Sequence, residues 1–272
     1  MLDCDNNLLS VEELTVDFRD GKSGSHRALN GVSLSIADGE VVGLVGESGS
    51  GKTVLSHSLL GLLPPSGRVT SGRILWRGRE LQKLPEKQLR PMRGKEIAMI
   101  FQDPQVSLNP VYPVGRQIER VLGRRRNLKG DELKSEILDL FSAVKLRDPE
   151  RCFHAYPHEL SGGMCQRIMI SLALASQPKL LIADEPTSAL DVSVAAGIVE
   201  LLSQLQKEHG LSILLITHDL SVATRISNRI AVIDSGSIVE THPAMDFLKK
   251  AAHPSTLNLI EANRYLSQNL VA

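Results

Sequence analysis

Val41-Val42-Gly43-Leu44-Val45-Gly46-Glu47-Ser48-Gly49-Ser50-Gly51-Lys52-Thr53 is an apolar β-branched run that empties into a glycine-rich loop ending in Lys-Thr. The run reads as a buried strand. The loop matches the phosphate-binding pattern G-x-x-x-x-G-K-[ST] at every position from Gly46 to Thr53. Beyond it, Val54 to Leu63 places apolar residues at helical spacing and stops at Pro64-Pro65. Strand, loop and helix start together supply a nest of backbone N–H groups at the positive end of a helix dipole, which binds phosphate. Glycines suit a loop that needs positive φ and close backbone approach. Lys52 is expected to reach the β- and γ-phosphates of a nucleotide, and the Thr53 hydroxyl to hold Mg²⁺.

Strand signals recur on both sides of this stretch. Leu8 to Phe18 alternates in part, and Val32 to Ile36 alternates cleanly before Asp38-Gly39, a hairpin-type turn leading to the central strand. Gly72 to Gly78 reads as a further short strand, and Ile97 to Phe101 as a buried one. From Val114 to about Lys145 the period becomes helical, which predicts an α-helical insertion. Its basic run, Arg116, Arg120, Arg124, Arg125, Arg126 and Lys129, has no interleaved aromatic residues to stack bases, so it reads as a solvated helix face with no nucleic acid implied. Gly162 to Ala175 and Val192 to His209 read as helices, and Lys179 to Ala183 and Leu211 to Thr217 as strands. Asp234-Ser235-Gly236 joins Ile230–Ile233 to Ser237–Glu240 as a hairpin. Strands alternating with helices predict an α/β fold with a mostly parallel sheet, preceded by antiparallel strands. Reactive groups then gather at the carboxyl ends of the strands.

Three strand ends carry polar groups. Leu180 to Ala183 delivers Asp184 and Glu185. An acid so placed beside a P-loop can hold Mg²⁺, and the next one can polarise the water that attacks the γ-phosphate. Gln102 follows Ile97–Phe101 and His218 follows Leu211–Thr217, both where phosphate, water or metal would lie. Far along the chain, Ser161-Gly162-Gly163 opens the helix that carries Gln166 and Arg167, and this makes a second anion cradle. Two cradles in one chain allow either a second ligand or a second protein copy.

The chain has 272 residues, with Lys+Arg and Asp+Glu at 31 each, so no overall field favours nucleic acid or an anionic membrane. Neither a span of about 20 apolar residues nor a secretory leader is read in it. Cys4, Cys152 and Cys165 have no metal or disulfide spacing and read as reduced thiols of a cytosolic protein. His154 and His158 are four apart but separated by Pro157, which argues against a helical metal pair.

Taken in order, Gly46–Thr53, Gln102, Leu160–Arg167, Leu180–Glu185, Ser188-Ala189-Leu190-Asp191 and His218 resemble the Walker A, Q-loop, signature, Walker B, D-loop and switch histidine of the ATP-binding cassette family. The resemblance implies an ATPase domain over residues 1–250 with a helical subdomain at about 105–176, and a short tail at 251–272. It assigns Glu185, His218 and Gln102 to catalysis, and Thr53, Gln102 and Asp184 to Mg²⁺. It gives Gly46, Glu47, Ser48, Gly49, Ser50, Gly51, Lys52 and Thr53 to ATP, joined by Ser161, Gly162, Gly163, Gln166 and Asp191 from a second ATPase subunit, a like or unlike copy in a head-to-tail dimer.

Phe101-Gln102-Asp103-Pro104 to Pro110, Val114-Gly115-Arg116-Gln117-Ile118 and Tyr156-Pro157-His158-Glu159-Leu160 are similar to the dipeptide, oligopeptide and nickel importer subfamily. The tail His253-Pro254-Ser255-Thr256-Leu257 looks like its His-Pro-Tyr-Thr motif, with Ser255 in place of Tyr and no cysteine-bearing extension, so no iron–sulfur cluster is expected. This implies a peripheral subunit on the cytoplasmic face of the cell membrane. It would power import through two membrane-spanning permease subunits, served by an extracytoplasmic binding protein. A soluble cassette ATPase of DNA repair or translation is the alternative; the repair type carries a long coiled coil and the translation type two cassettes. Two departures stand out: Cys165 in the signature, and the absence of an aromatic between Phe18 and Gly46 to stack adenine, with His26 or Arg27 as substitutes.

Overall fold

In the computed structural model, residues 7–20, 24–126, 128–188 and 190–269 are described; the side chains of 20, 124–126 and 264–269 are not. Cys4, Ala189 and the Arg124–Arg126 side chains of the basic run therefore lie outside the description. In chain order the elements begin with β1 (Asn7–Asp20), β2 (Gly24–Ala37), β3 (Val41–Val45), α1 (Lys52–Leu59), β4 (Gly67–Trp76), β5 (Arg79–Glu80) and α2 (Glu86–Met92). Then come β6 (Ile97–Ile100), α3 (Pro104–Ser107), α4 (Val114–Arg126), α5 (Gly130–Ala143), α6 (Pro149–His154), α7 (Gly162–Leu174), β7 (Leu180–Asp184) and α8 (Val192–His209). The chain closes with β8 (Ser212–Thr217), α9 (Leu220–Ile226), β9 (Arg229–Asp234), β10 (Ser237–Pro243), α10 (Phe247–Lys250) and α11 (Pro254–Asn269). They divide into two units, Met1–Arg93 with Gly210–Ala272, and Gly94–His209.

The first unit holds an antiparallel sheet in the order β2-β1-β4-β5 and a second group in the order β10-β9-β3-β8. Asp38-Gly39 therefore turns the chain from one sheet to the other; β2 pairs with β1, and β3 runs parallel to β8 and β9. The hairpin expected at this turn does not form. The five residues of β3 are all buried, so with paired strands on both edges it behaves as a central strand. The partial alternation of β1 has a local cause. Its pairing to β2 shifts register between Val11 and Leu14, where Glu13 has a φ of +46°. Opposite the bulge stands Gly72 at φ +78°, where a Cβ would come within 2.3 Å of the Glu13 carbonyl oxygen. The start of β3 is pinned by Asn228, whose Oδ1 accepts from Val41 N at 2.8 Å while its own N–H donates to Val41 O at 2.8 Å. Arg229 binds Glu40 at 2.6 Å and also donates to the Ser35 carbonyl. Ser235 (φ +48°) and Gly236 (φ +80°) make the tight β9–β10 turn.

In the second unit β6 and β7 pair in parallel, Ile97 with Leu180 through Ile100 with Ala183. Helices α3 to α7 occupy the stretch between them. Gly115 lets α4 meet α6, since a Cβ there would stand 2.5 Å from the Phe153 ring. Arg167 Nη1 donates to the Val144 carbonyl at 2.7 Å and ties α7 to the end of α5. On α4, Arg116 pairs with Glu119 at 3.0 Å and Arg120 lies 4.2 Å over the Tyr112 ring. Those two cations of the basic run are engaged by their own neighbourhood.

Candidate nucleotide site

The glycine loop is built to be rigid. Gly46 has no room for a side chain: a Cβ would sit 2.2 Å from the Ile233 carbonyl oxygen and 2.7 Å from Ser50 Oγ. Gly51 (φ +109°) is the N-cap of α1, with Leu29 2.8 Å from where its Cβ would be. Gly236 N donates to Ser50 O at 3.0 Å, and Asn30 N to Gly236 O at 2.7 Å. The loop is thus clamped between β2 and the β9–β10 turn. Lys52 is buried, and its Nζ donates to the carbonyls of Gly46 and Glu47, each at 2.7 Å. That ammonium ties the end of the loop back to its first two residues. Ser50 Oγ is buried with no hydrogen-bond partner, a polar atom of the kind a ligand oxygen satisfies. The Thr53 side chain is exposed at the first turn of α1. Loop and helix start fit a polyphosphate.

His218 enters the same unit by strand register. Val45 on β3 stands beside Thr217 on β8, so Gly46 and His218 leave adjacent strands at the same level. His218 is exposed there. Asp219 follows as N-cap of α9, its Oδ1 accepting from Ser221 N at 2.8 Å and Val222 N at 3.4 Å. Of the two expected adenine partners, Arg27 is engaged by Asp17 at 3.0 Å and Asn30 at 3.3 Å. His26 is exposed on β2, paired across the strands with Phe18.

The second unit gathers the acids. Asp184 ends β7 buried, and Glu185 follows, 8% exposed, with a φ of +49°. A non-glycine residue in the left-handed region costs of order 1–2 kcal/mol and persists where its surroundings over-determine it, as at functional sites. Gln102 lies two residues past Ile100, and Glu185 two past its partner Ala183, so the register places them level. Ser188 joins them: its hydroxyl lies 2.8 Å from Glu185 O and 3.3 Å from Gln102 O. No reading of the sequence gave Ser188 that part; an Asp-Glu-Pro-Thr-Ser turn shows only that a serine is near.

The Ser161-Gly162-Gly163 start of α7 is capped by its own serine. Ser161 Oγ accepts from Met164 N at 3.3 Å. Gly163 marks a close approach, because a Cβ there would come 2.5 Å from Val194 Cγ1 on α8. Val194 is β-branched and stiff in a helix, so it yields poorly. Overpacking costs about 1–3 kcal/mol, more than the helix-propensity gain of alanine at a first turn. Gly163→Ala is therefore expected to lower the unfolding free energy by about 1 kcal/mol, read by urea denaturation, and to reduce ATPase activity by shifting the helix start. Gln166 is only 2% exposed, and its Nε2 is buried without a hydrogen-bond partner in this chain. Cys165 is buried as well; its thiol donates to the Pro157 carbonyl at 3.4 Å, and burial raises its pKa. Asp191 is exposed just before α8, and its carbonyl accepts from Ala195 N at 2.8 Å.

Residues 29–188 match the model of the ABC transporter family. The chain is 45% identical over 255 residues to the dipeptide transport ATP-binding protein DppD of Escherichia coli, covering 94% of this chain and 78% of that protein. Against the oligopeptide transport ATP-binding protein OppD of Bacillus subtilis it is 44% identical, covering 93% and 71%. Against the peptidoglycan transport ATP-binding protein YejF of Agrobacterium fabrum it is 48% identical, spanning 94% of this chain but 47% of the relative. Among solved structures, a dimeric ATP-binding cassette in a post-hydrolysis state with ADP and phosphate superposes with a TM-score of 0.78 at 29% identity, covering 87% of this chain and 98% of that one. The cassette CbiO1 of Clostridium perfringens gives 0.75 at 28%, covering 90% and 92%. The chain belongs to the ABC transporter family, as an ATP-binding, ATP-hydrolysing cassette. Among its described residues no helix is long and apolar enough to cross a membrane.

Proposed function

We propose that this chain is the ATPase subunit of a peptide importer, working at the cytoplasmic face of the cell membrane on two permease subunits fed by an extracytoplasmic binding protein. The observation that carries this reading is similarity above 40% across most of the chain to cassettes named for dipeptide and oligopeptide transport. Residues 1–250 serve as the ATPase domain, with the helical insertion at about 105–176 and a tail at 251–272. Gly46 to Thr53 hold the nucleotide, Lys52 exchanging its loop carbonyls for the β- and γ-phosphates. Thr53, Asp184 and Gln102 hold Mg²⁺, which supplies charge neutralisation on the phosphates. Glu185 orients and deprotonates the attacking water, and His218 donates a hydrogen bond to the γ-phosphate. Ser161, Gly162 and Gly163 of one subunit close over the nucleotide of the other, with Gln166 and Asp191 in support, so ATP shuts a head-to-tail dimer and hydrolysis reopens it.

The test is copurification with the membrane subunits and reconstitution in vesicles. Peptide-loaded binding protein is expected to stimulate ATP hydrolysis several-fold. Stimulation by a nickel chelate with none by peptides would move the cargo to metal. Stimulation by DNA or ribosomes, with no membrane partner, would sink the importer reading in favour of a soluble cassette.

A further inference from the structure

The link between β8 and α9 carries His218, and it is held from outside by one side chain of the last helix. Asn263 on α11 faces that link. Its Oδ1 accepts from Leu220 N at 3.1 Å, and its Nδ2 donates to His218 O at 3.3 Å and to Leu259 O at 2.9 Å. One partner is an N–H and two are carbonyls, which fixes the amide orientation without ambiguity. A single carboxamide therefore grips the peptide groups on both sides of Asp219. Within the link, Asp219 N donates to Thr217 Oγ1 at 3.0 Å, and the Asp219 carboxylate accepts from the N–H groups of Ser221 and Val222. Leu220 N is the orphan donor that this local capping leaves over, and Asn263 satisfies it.

The grip is anchored. Ser255 Oγ donates to Asp234 Oδ2 at 2.7 Å, and Ala252 N and His253 N both donate to Glu240 Oε1 at 2.8 Å, so the start of α11 is tied to β9 and β10. Further along, Leu259 and Ile260 are buried in the same cluster as Leu220, Ala223, Phe247 and Val45, the residue that precedes Gly46. The helix that presents Asn263 thus shares a core with the strand that launches the phosphate loop.

We infer that Asn263 is a positioning residue for His218: it sets the backbone from which the imidazole reaches toward the γ-phosphate, and makes α11 part of the hydrolytic apparatus. This rests on the proposed role of His218. Without the amide, both peptides flanking Asp219 gain rotational freedom, and the histidine reaches its working geometry in a smaller share of molecules. The loss corresponds to about one net hydrogen bond, roughly a three- to ten-fold fall in rate. Nucleotide affinity, set by the loop at Gly46–Thr53, stays.

The experiment uses the purified full chain with Mg-ATP. Asn263→Ala is expected to lower kcat three- to ten-fold with KM for ATP within two-fold of wild type. Asn263→Asp keeps the acceptor for Leu220 N but sets an anionic oxygen against His218 O; it covers the case in which the alanine variant folds poorly, and is expected to lose kcat similarly. Histidine ¹³Cε1 spectra give a second readout. The His218 resonance, assigned by its loss in His218→Ala, is expected to move in both Asn263 variants and to stay fixed in Leu257→Ala, an exposed change on the same helix. An unmoved His218 resonance, or wild-type kcat in a folded Asn263 variant, overturns the inference. If instead His218→Ala itself hydrolyses ATP normally while the resonance still moves, the proposed role of His218 is what fails.

Discussion

Glu185→Gln is expected to abolish steady-state ATP hydrolysis, by about 10²-fold or more, while ATP binding stays within three-fold of wild type. The size is that of a lost general base, about 10²–10⁴ in rate. Glutamine is isosteric and carries no negative charge, so it can orient a water but not take its proton. The backbone argues that the variant folds. Glu185 is held at φ +49° by its surroundings, with Ser188 on its carbonyl, and these contacts belong to the main chain and survive the change. Blocked hydrolysis also leaves in place the ATP that closes the proposed head-to-tail dimer. The variant is therefore expected to run as a dimer by size-exclusion chromatography with ATP and as a monomer without it. Normal turnover in Glu185→Gln would remove Glu185 from the reaction.

The strands that position this chemistry were legible because they are short and apolar, and each ends at a glycine, an acid or a histidine. Val41–Val45, Leu180–Asp184 and Ser212–Thr217 are buried throughout, and buried strands read as continuous runs. The phosphate loop was legible because sterics leave little choice there: Gly46 cannot be anything larger. What stayed hidden is tertiary. Nothing local says that β2 and β3 belong to different sheets, since a two-residue turn serves a hairpin and a sheet change alike. The helix α9 spans only seven residues, about two turns, too few for a helical period to stand out beside His218. Gln166 looks like an accessible polar residue one turn into a signature helix, yet the fold buries it. Asn263 is one amide in a polar stretch, 45 residues from the carbonyl it binds, and no periodicity marks it.

Lys52→Ala is expected to weaken ATP binding itself, in contrast to Glu185→Gln, raising Kd by about 30- to 100-fold or more as read by fluorescence of a nucleotide analogue or by calorimetry. The buried ammonium makes two 2.7 Å hydrogen bonds to the carbonyls of Gly46 and Glu47. Charge-assisted hydrogen bonds contribute about 1.5–3 kcal/mol each, so losing the group's contact with two phosphates costs about 2–3 kcal/mol of binding after the carbonyls rehydrate. The change has a second consequence in the free protein, because those carbonyls lose the donor that ties the loop's end to its start. The loop remains tethered at Ser50 through Gly236, so collapse is not expected and the melting temperature should fall by only a few degrees. Lys52→Arg separates charge from shape. The planar guanidinium keeps the positive charge but is too large for a lysine site only 7% exposed, and is expected to bind ATP no better than alanine. Full affinity in Lys52→Ala would mean that backbone N–H groups alone hold the phosphates, and that Lys52 serves only to shape the loop.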